Sequence, residues 1–315
     1  MQRTKSGFQI LNIKYLIFNI LLCVFAQWLD PRLLLADNTL AYLDNGVGAR
    51  ALGMAGAFVA VADNPSAVYW NVAGVAAQSD SQMELSYQQD NFDYQNMYLF
   101  ATLPTTFGKL GFGAISNQAS GIAGVPTAND GERPVASGSL SDAALTSFVS
   151  YSSIFRRGLY WGITGKYMTR TLASATASGI AADLGMMYFL NSNFIFGMQC
   201  RNAWSTGMKW QGTTSNPSDA VASAFFTGLT FKQEWYLLSL SWGLGGSSAI
   251  GGEYQPSKEL RLRGGVQLPA GRIPGYWLGT TLDYTYFTLD YSFHIEGDAT
   301  LGTGLEHTLS LGFKI

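Results

Sequence analysis

The residue types that could do chemistry lie closest together near the end of the chain. Asp290, Ser292 and His294 are the acid, nucleophile and base types of a hydrolytic triad. They occupy alternate positions of one predicted strand, where residues on the same face are about 7 Å apart. A nucleophile and its base need a separation of about 3 Å, so this spacing argues against a hydrolase. We expect His294 to be a hydrogen-bonded interior residue instead.

Metal, redox and phosphate chemistry have even fewer candidate residues. The chain has two histidines and two cysteines, and Cys23 falls in a predicted targeting segment. Cys200 then has no partner for an internal disulfide, and the sequence offers no metal cluster. The glycine-rich stretch near residue 50 lacks the Gly-Lys-Ser/Thr of a phosphate-binding loop. We therefore predict no cofactor, no metal and no enzymatic activity.

Charge and composition exclude one class of protein and favour another. The net charge is −2 and Arg156-Arg157 is the only adjacent basic pair, so binding of nucleic acid has no support. Charged residues make up 13%, aromatic residues 14%, and the mean hydropathy is +0.10. Past the N-terminus no apolar run reaches the roughly 18 residues of a membrane helix. This combination is typical of a membrane β-barrel, which turns only every second residue to lipid.

From residue 81 onward the chain divides into fourteen short segments that read as strands. Every proline beyond residue 80 falls between these segments, and proline cannot donate to the hydrogen-bond ladder of a closed sheet. Short joints tend to alternate with longer ones, as in outer-membrane barrels, although a soluble half-buried sheet would also alternate in polarity. The segments are 81–88, 95–103, 108–116, 142–152, 158–172, 178–190, 193–204, 220–231, 235–243, 247–255, 260–268, 275–284, 287–295 and 306–315.

The alternation assigns faces within these strands, and we predict a closed antiparallel transmembrane β-barrel of about 14 strands. Single charged or titratable residues then face the interior: Lys166, Asp183, Arg261, Arg263, Asp283, Asp290 and His294. Aromatic residues near strand ends are predicted to form girdles at the membrane interfaces. They are Tyr160, Trp161, Trp204, Trp235, Tyr236, Trp242, Tyr276, Trp277, Tyr284 and Tyr286.

The N-terminus reads as a secretory signal peptide. Basic residues precede about twelve mostly apolar ones, which is too short to span a bilayer; a retained anchor helix is the alternative. Cleavage is predicted after Ala26, or else after Ala36. The predicted domains are therefore a signal peptide at 1–26, an N-terminal segment at 37–80 and the barrel at 81–315.

Residues 46–77 contain almost only glycine, alanine and apolar side chains, with Arg50 and Asp63 as the only charges. Pro65 suits the first turn of a short helix at 66–70, with Asp63 or Asn64 as its N-cap. We expect Arg50 and Asp63 to pair with charges of the barrel interior, because unpaired buried charges are costly.

This stretch carries a resemblance to a known family. It resembles the N-terminal hatch of FadL-type outer-membrane proteins, most closely their PorV-like branch, over the run GARALGMAGAFVAVADNPSAVYWN (48–71). In that family the hatch folds into the mouth of a fourteen-stranded barrel and carries an Asn-Pro-Ala turn, matched here by Asn71, Val72 and Ala73. Val72 departs from this pattern, because it frees φ and restores an N–H donor. The last strand, ending in Phe313 and Ile315, resembles the signal read by the outer-membrane assembly machinery.

The resemblance implies passage of small hydrophobic compounds, such as fatty acids or aromatic hydrocarbons, across a Gram-negative-type outer membrane. Outer-membrane lipid, the assembly machinery and hydrophobic small molecules are the expected partners. The alternative is a shuttle for secreted proteins, working through loops 117–141 and 205–219. The hatch residues expected to bind ligand or shape the plug are Phe58, Val59, Asp63, Pro65, Ser66, Trp70, Asn71, Val72 and Ala73.

Overall fold

The computed structural model describes residues 40–89, 94–123, 139–213, 216–244, 247–268, 274–296 and 305–315. The predicted signal peptide, with both cleavage positions, lies outside the described residues. Residues 124–138 of the predicted loop at 117–141 lie outside them as well, whereas 117–123 and 139–141 belong to strands, so the prediction of a loop is wrong at its two flanks. No described helix is long and apolar enough to cross a bilayer.

Sixteen strands follow residue 80 in the described part of the chain. They are β1 (Gln82–Gln89), β2 (Gln95–Thr105), β3 (Gly108–Ala123), β4 (Ser139–Arg156), β5 (Leu159–Leu172), β6 (Ala175–Phe189), β7 (Phe194–Ser205), β8 (Met208–Gln211), β9 (Ser218–Asp219), β10 (Ala224–Lys232), β11 (Tyr236–Gly243), β12 (Ser248–Tyr254), β13 (Leu260–Leu268), β14 (Gly275–Asp283), β15 (Phe287–Glu296) and β16 (Leu305–Lys314).

Fourteen of these strands close into an antiparallel barrel. The first strand, β1, pairs with both β2 and β16, and β5 pairs with β6, so the sheet has no free edge along this circuit. Strands β7 and β10 are neighbours, while β8 and β9 form a short hairpin that attaches to β6. The prediction of a closed barrel of about 14 strands is confirmed, and each predicted segment corresponds to one barrel strand.

The two ends of the barrel differ in their connections. At one end the strands are joined by short turns, such as 106–107 and 157–158, and Ile315 N donates to Ser81 O at 2.9 Å. At the other end lie longer connections, including the region of the β8–β9 hairpin. We call these the short-turn end and the loop end.

Side chains alternate between the barrel interior and its outer surface. Along β1, Glu84 and Ser86 are buried, whereas Leu85 and Tyr87 are exposed. Many other large apolar residues are exposed at outward positions, which gives the wall the apolar outer face of a membrane barrel.

Two residues of the predicted aromatic girdles were assigned to the wrong face. Tyr160 points inward and packs against Phe189, with ring centroids 5.0 Å apart. Trp277 points inward and stacks on His294. The other eight girdle residues are exposed on the outside or at strand ends. The error arises because aromatic residues near a strand end occur both at inward positions and at outward positions of the membrane interface.

Residues 40–77, here called the internal segment, contain only short helical pieces. These are a 3-10 turn at Ala41–Asp44, helix α1 at Ala49–Leu52, helix α2 at Ala67–Trp70 and a 3-10 turn at Val72–Ala77. The predicted helix at 66–70 is confirmed, but its predicted side-chain cap is wrong. No side chain caps α2; the backbone carbonyl of Asn64 accepts from Ala67 N at 2.9 Å instead.

Candidate functional site

The internal segment lies inside the barrel, because its backbone touches inward-facing glycines on opposite sides of the wall. A Cβ at Gly251 would lie 2.8 Å from the Cβ of Met54, and one at Gly279 would lie 3.1 Å from the Cα of Gly53. A side chain at either position would therefore push the segment away. Backbone atoms of the segment also lie against Gly185, Gly197, Gly228 and Gly265, and its valine side chains lie against Gly111 and Gly162.

Hydrogen bonds fix the segment to the wall at several points. Ala49 N donates to Ser310 Oγ at 2.8 Å. Asn71 Nδ2 donates both to Val59 O at 2.8 Å and to Met186 O at 3.1 Å, so one amide joins two parts of the segment to β6. The bonds at Ala49 N and Val59 O use buried backbone groups, and leaving such a group unpaired would be costly.

The Asn-Val-Ala turn lies against the side of the barrel formed by β5 and β6. Asn71 Oδ1 accepts from Ala73 N at 3.3 Å and so begins the 3-10 turn that follows. Val72 is 2% exposed, and its methyl groups pack over Gly162 and Gly185. In this chain Val72 therefore fills a space that two wall glycines leave open.

Charged groups join the segment to the wall near the short-turn end. Arg50 pairs with Asp63 of the segment and with Glu253 of β12, where Nε lies 3.0 Å from Oε2. Glu253 also accepts from Arg263 Nε at 2.7 Å, and Arg263 Nη2 donates to Asp290 Oδ1 at 2.9 Å. The network therefore alternates in sign from the segment across β12 and β13 to β15.

Burial and the neighbouring charges act in opposite directions on Asp63. Burial raises the pKa of its carboxyl, but Arg50 and Lys232 outweigh this effect and hold the pKa below its usual range. Lys232 Nζ lies 3.8 Å from Asp63 Oδ2. Asp63 is therefore ionised at neutral pH and favours the seated position of the segment.

The remaining predicted interior residues form two further pairs. Lys166 Nζ lies 2.7 Å from Asp183 Oδ1 in a site where both side chains are buried. Arg261 pairs with Asp283 near the short-turn end. All these residues face inward, as the alternation of the sequence predicts.

The structure does not assemble a hydrolytic triad. Asp290 accepts from Arg263 and Thr281, whereas His294 Nδ1 lies 3.4 Å from Glu306 Oε2. The His294 ring stacks on Trp277 with centroids 3.9 Å apart. His294 is thus held by an aromatic ring and a different carboxylate.

A cavity of about 400 Å³ opens between the segment and the wall near the loop end. We call it the loop-side cavity. Val59, Tyr69 and Trp70 of the segment form one side, and Phe226 and Ser241 belong to the other. Phe58 does not line it; this residue is fully buried and packs edge-on against Trp70 at 6.2 Å.

Arg201 supplies the cation of this cavity, and sequence reasoning missed it. Its guanidinium carbon lies 4.1 Å from the ring centroid of Tyr69, 4.7 Å from Phe226 and 5.4 Å from Trp70. It also donates to the Tyr69 hydroxyl at 3.0 Å. Among the described residues, no carboxylate lies within ion-pair distance of Arg201. Its alternation with Gln199 and Gly197 is the sequence signal that would have placed it inside.

A bulge in β7 adjoins Arg201. The pairing of β6 with β7 shifts register between Ala182 and Leu184. Asn202 has φ 49° and its N–H donates to Asp183 Oδ1 at 2.6 Å. A smaller cavity of about 120 Å³, lined by Leu40, Leu43 and Phe148 among others, lies on the far side of Arg201.

The opposite end holds a cavity of a different character, here called the short-turn cavity. Its volume is about 280 Å³. Pro65 lies beside it, whereas Ser66 is fully buried and donates to Asn64 Oδ1 at 2.8 Å. The charged residues that line it are Arg50, Asp63, Glu84, Lys232, Glu234, Glu253, Arg261, Asp283, Asp290 and Lys314.

These features define a closed fourteen-stranded barrel that encloses its own N-terminal segment and leaves a cavity at each end. No family model and no curated protein matches the sequence. Solved structures do match in fold. The toluene transporter TbuX of Ralstonia pickettii aligns with a TM-score of 0.64 at 12% identity, covering 86% of this chain and 98% of that one.

Two further solved structures are similar. The toluene transporter TodX of Pseudomonas putida aligns with a TM-score of 0.63 at 13% identity, covering 86% of this chain and 99% of that one. A FadL homologue of Pseudomonas aeruginosa aligns with a TM-score of 0.55 at 11% identity, covering 85% and 98%. The chain therefore has the fold of these barrels, and its ligand must be argued from its own residues.

Proposed function

We propose that this chain is a FadL-type outer-membrane protein that binds small hydrophobic compounds in the loop-side cavity and lets them pass the barrel. The main observation that supports this proposal is the loop-side cavity. Its volume of about 400 Å³ falls in the range of small-molecule sites, which are mostly apolar with a few placed polar groups. The apolar outer face of the wall supports a membrane location.

The cavity favours an amphiphile with an acidic head over a neutral hydrocarbon. Aromatic rings offer contact to an apolar chain, while Arg201 offers N–H donors and forms no ion pair with a described carboxylate; Asp44 is the acidic residue that also lines the cavity. A guanidinium binds a carboxylate through two parallel hydrogen bonds. Toluene, the compound named for TbuX and TodX, would use the rings alone. A long-chain fatty acid would use both.

The internal segment acts as the plug in this proposal. It is anchored to the wall by hydrogen bonds, ion pairs and close glycine contacts, so it separates the two cavities while it is seated. Passage then requires a local shift of the segment. We also propose the domain division stated above, with the signal peptide at 1–26 or 1–36, the plug at 37–80 and the barrel at 81–315.

The test compares an acid with a neutral ligand on one purified barrel. Calorimetric titration of wild type and Arg201→Gln with a long-chain fatty acid and with toluene is the measurement. A charge-assisted hydrogen bond contributes about 1.5–3 kcal/mol, so we expect a loss of roughly tenfold or more in affinity for the acid. Toluene affinity should change little.

The control is Lys209→Gln, which removes an exposed charge from the loop end. Equal losses for acid and toluene in Arg201→Gln would contradict the head-group role. Membrane fractionation and heat-modifiable gel mobility test the location independently. No uptake difference between wild type and a deletion strain across hydrophobic substrates would contradict transport itself.

Membership of the PorV-like branch rests on the resemblance of residues 48–71 alone. The corresponding role as a secretion shuttle would act through the loops at 117–141 and 205–219. No contact of the described residues favours that role over transport. A pull-down of surface proteins that depends on these loops would separate the two.

A further inference from the structure

One side of the loop-side cavity holds a hydroxyl group that the proposed function does not use. Ser241 of β11 lines this cavity and is 5% exposed. Its Oγ is buried and has no hydrogen-bond partner among the described residues. Folded proteins pair most such groups, because an unpaired buried hydroxyl loses its hydrogen bonds to water without replacement. An unpaired hydroxyl beside a cavity is therefore a group that a ligand can satisfy.

The neighbouring strands explain why the Ser241 hydroxyl is unpaired. Its partner on β10 is Gly228 and its partner on β12 is Ala249, and neither of these has a polar side chain. Ser239 lies two residues earlier on the same face of β11, where it is opposite Thr230, and the two hydroxyl oxygens are 2.9 Å apart. Two serines of one strand thus differ in whether the wall satisfies them, and the unpaired one lines the cavity.

Gln267 of β13 adds a second polar group beside the first. It pairs across the strands with Ala249, which pairs in turn with Ser241, so the three residues lie side by side on the inner face. The Gln267 side chain also lines the cavity, and an amide can both donate and accept hydrogen bonds. We call Ser241, Ala249 and Gln267 the polar row. It presents a hydroxyl and an amide on either side of a methyl group.

The polar row lies deeper in the barrel than the head-group site at Arg201. The guanidinium carbon of Arg201 lies 4.7 Å from the centroid of the Phe226 ring. Phe226 pairs with Gly243, and Ser241 lies two residues from Gly243 toward the short-turn end. Two residues of a strand cover about 7 Å. A chain whose carboxylate is bound at Arg201 therefore passes the polar row several carbon atoms from its head.

We propose that the loop-side cavity selects long-chain fatty acids that carry a hydroxyl group several carbon atoms from the carboxylate. Ser241 Oγ donates to the hydroxyl oxygen of the ligand, and Gln267 Oε1 accepts from the same hydroxyl. The small side chain of Ala249 leaves the space in which this hydroxyl lies. An unsubstituted chain would make neither bond. The inference rests on the proposed function, because Arg201 fixes the position of the head.

Calorimetric titration of the purified barrel with stearic acid and two hydroxystearic acids provides the test. One hydroxystearic acid carries its hydroxyl at mid-chain and the other at the far end. A neutral hydrogen bond changes an affinity by about two- to tenfold. We expect wild type to bind the mid-chain hydroxy acid more tightly than stearic acid by at least that factor. An equal gain for the far-end isomer would contradict the position of the polar row.

The variant is Ser241→Ala, and the matched control is Ser239→Ala, which removes a paired hydroxyl of the same strand away from the cavity. Ser241→Ala should lower the preference for the mid-chain hydroxy acid by about two- to tenfold and leave the affinity for stearic acid unchanged. Ser239→Ala should keep the preference. An unchanged preference in Ser241→Ala, or equal loss in both variants, would overturn the proposal.

Gln267→Met keeps the length of the side chain and gives a second reading, in which the preference should also fall. Heat-modifiable gel mobility shows whether each variant is folded. Absence of binding for all three acids, or affinities that do not change in Arg201→Gln, would overturn the proposed function itself. Equal affinities of wild type for stearic acid and the mid-chain hydroxy acid, both weakened by Arg201→Gln, would leave the proposed function standing and overturn the role of the polar row.

Discussion

The two cavities are separated along a single strand, β12. Ala249 lines the loop-side cavity, Glu253 lines the short-turn cavity, and Gly251 between them touches Met54 of the internal segment. At the short-turn end, Glu253 is paired with two arginines. At the loop end, Arg201 lies over aromatic rings and forms no ion pair with a described carboxylate.

This difference separates a structural use of charge from a binding use. A buried ion network whose members are paired holds the segment but has few groups left for a ligand. A cation surrounded by rings retains donors for an incoming acid. We therefore expect changes at the two ends to affect different properties: stability at the short-turn end and ligand selectivity at the loop end.

The largest effect is expected for Glu253→Ala. It removes the acid shared by Arg50 and Arg263 and leaves two buried cations with one carboxylate each. Breaking a buried pair typically costs about 3–5 kcal/mol, and we expect a loss of that order in the free energy of unfolding. Urea unfolding followed by heat-modifiable gel mobility measures it, with the exposed Glu259→Ala as control. Unchanged stability, or an altered acid-to-toluene selectivity in the folded variant, would contradict a purely structural role for the charges at the short-turn end.

An intermediate effect is expected for Gly251→Ala, which alters the contact between β12 and the internal segment that separates the two cavities. The new Cβ would meet Met54 in a space that has no room for it, so the segment or the strand must shift. Overpacking of this kind costs about 1–3 kcal/mol. Limited proteolysis of the internal segment is the measurement. The control is Gly252→Ala, one residue along the strand and facing outward. Equal protease sensitivity of both variants would contradict close packing between Gly251 and the internal segment.

The sequence predicted the wall better than the site. Period-two alternation located every barrel strand, because a lipid-facing wall imposes it. The prediction that every proline lies between strands is wrong at Pro104, which lies near the end of β2 and is paired with Lys109 of β3. The β8–β9 hairpin was missed, since Met208–Gln211 and Ser218–Asp219 are too short to show a period. Trp277 and Tyr160 were assigned to the girdle, because residue type alone does not distinguish an inward ring from an interfacial one.

The sequence could not predict which interior residues of the site contact one another. Inward positions of Lys166, Asp183 and Arg263 follow from alternation, but register across the barrel decides which acid each cation meets. Arg50 and Glu253 are 203 residues apart in the chain and form one pair. Arg201 was missed for the same reason: its value as a binding group depends on three rings contributed by two distant parts of the chain.

The smallest effect is expected from acidification, and it would sharpen the assignment of Asp63 to the structural end. The pKa of Asp63 lies below its usual range in the folded chain, so the unfolded chain binds this proton at higher pH than the folded one. Its contribution to stability is therefore fully present above the unfolded pKa of about 3.9 and is lost as pH falls below that value through the folded pKa. Thermal unfolding of wild type and Asp63→Asn should differ at pH 6 and converge toward pH 3, while the exposed Asp80→Asn should follow wild type throughout. A constant difference between wild type and Asp63→Asn at every pH would mean that the asparagine costs stability through its shape, not through the ion pair with Arg50.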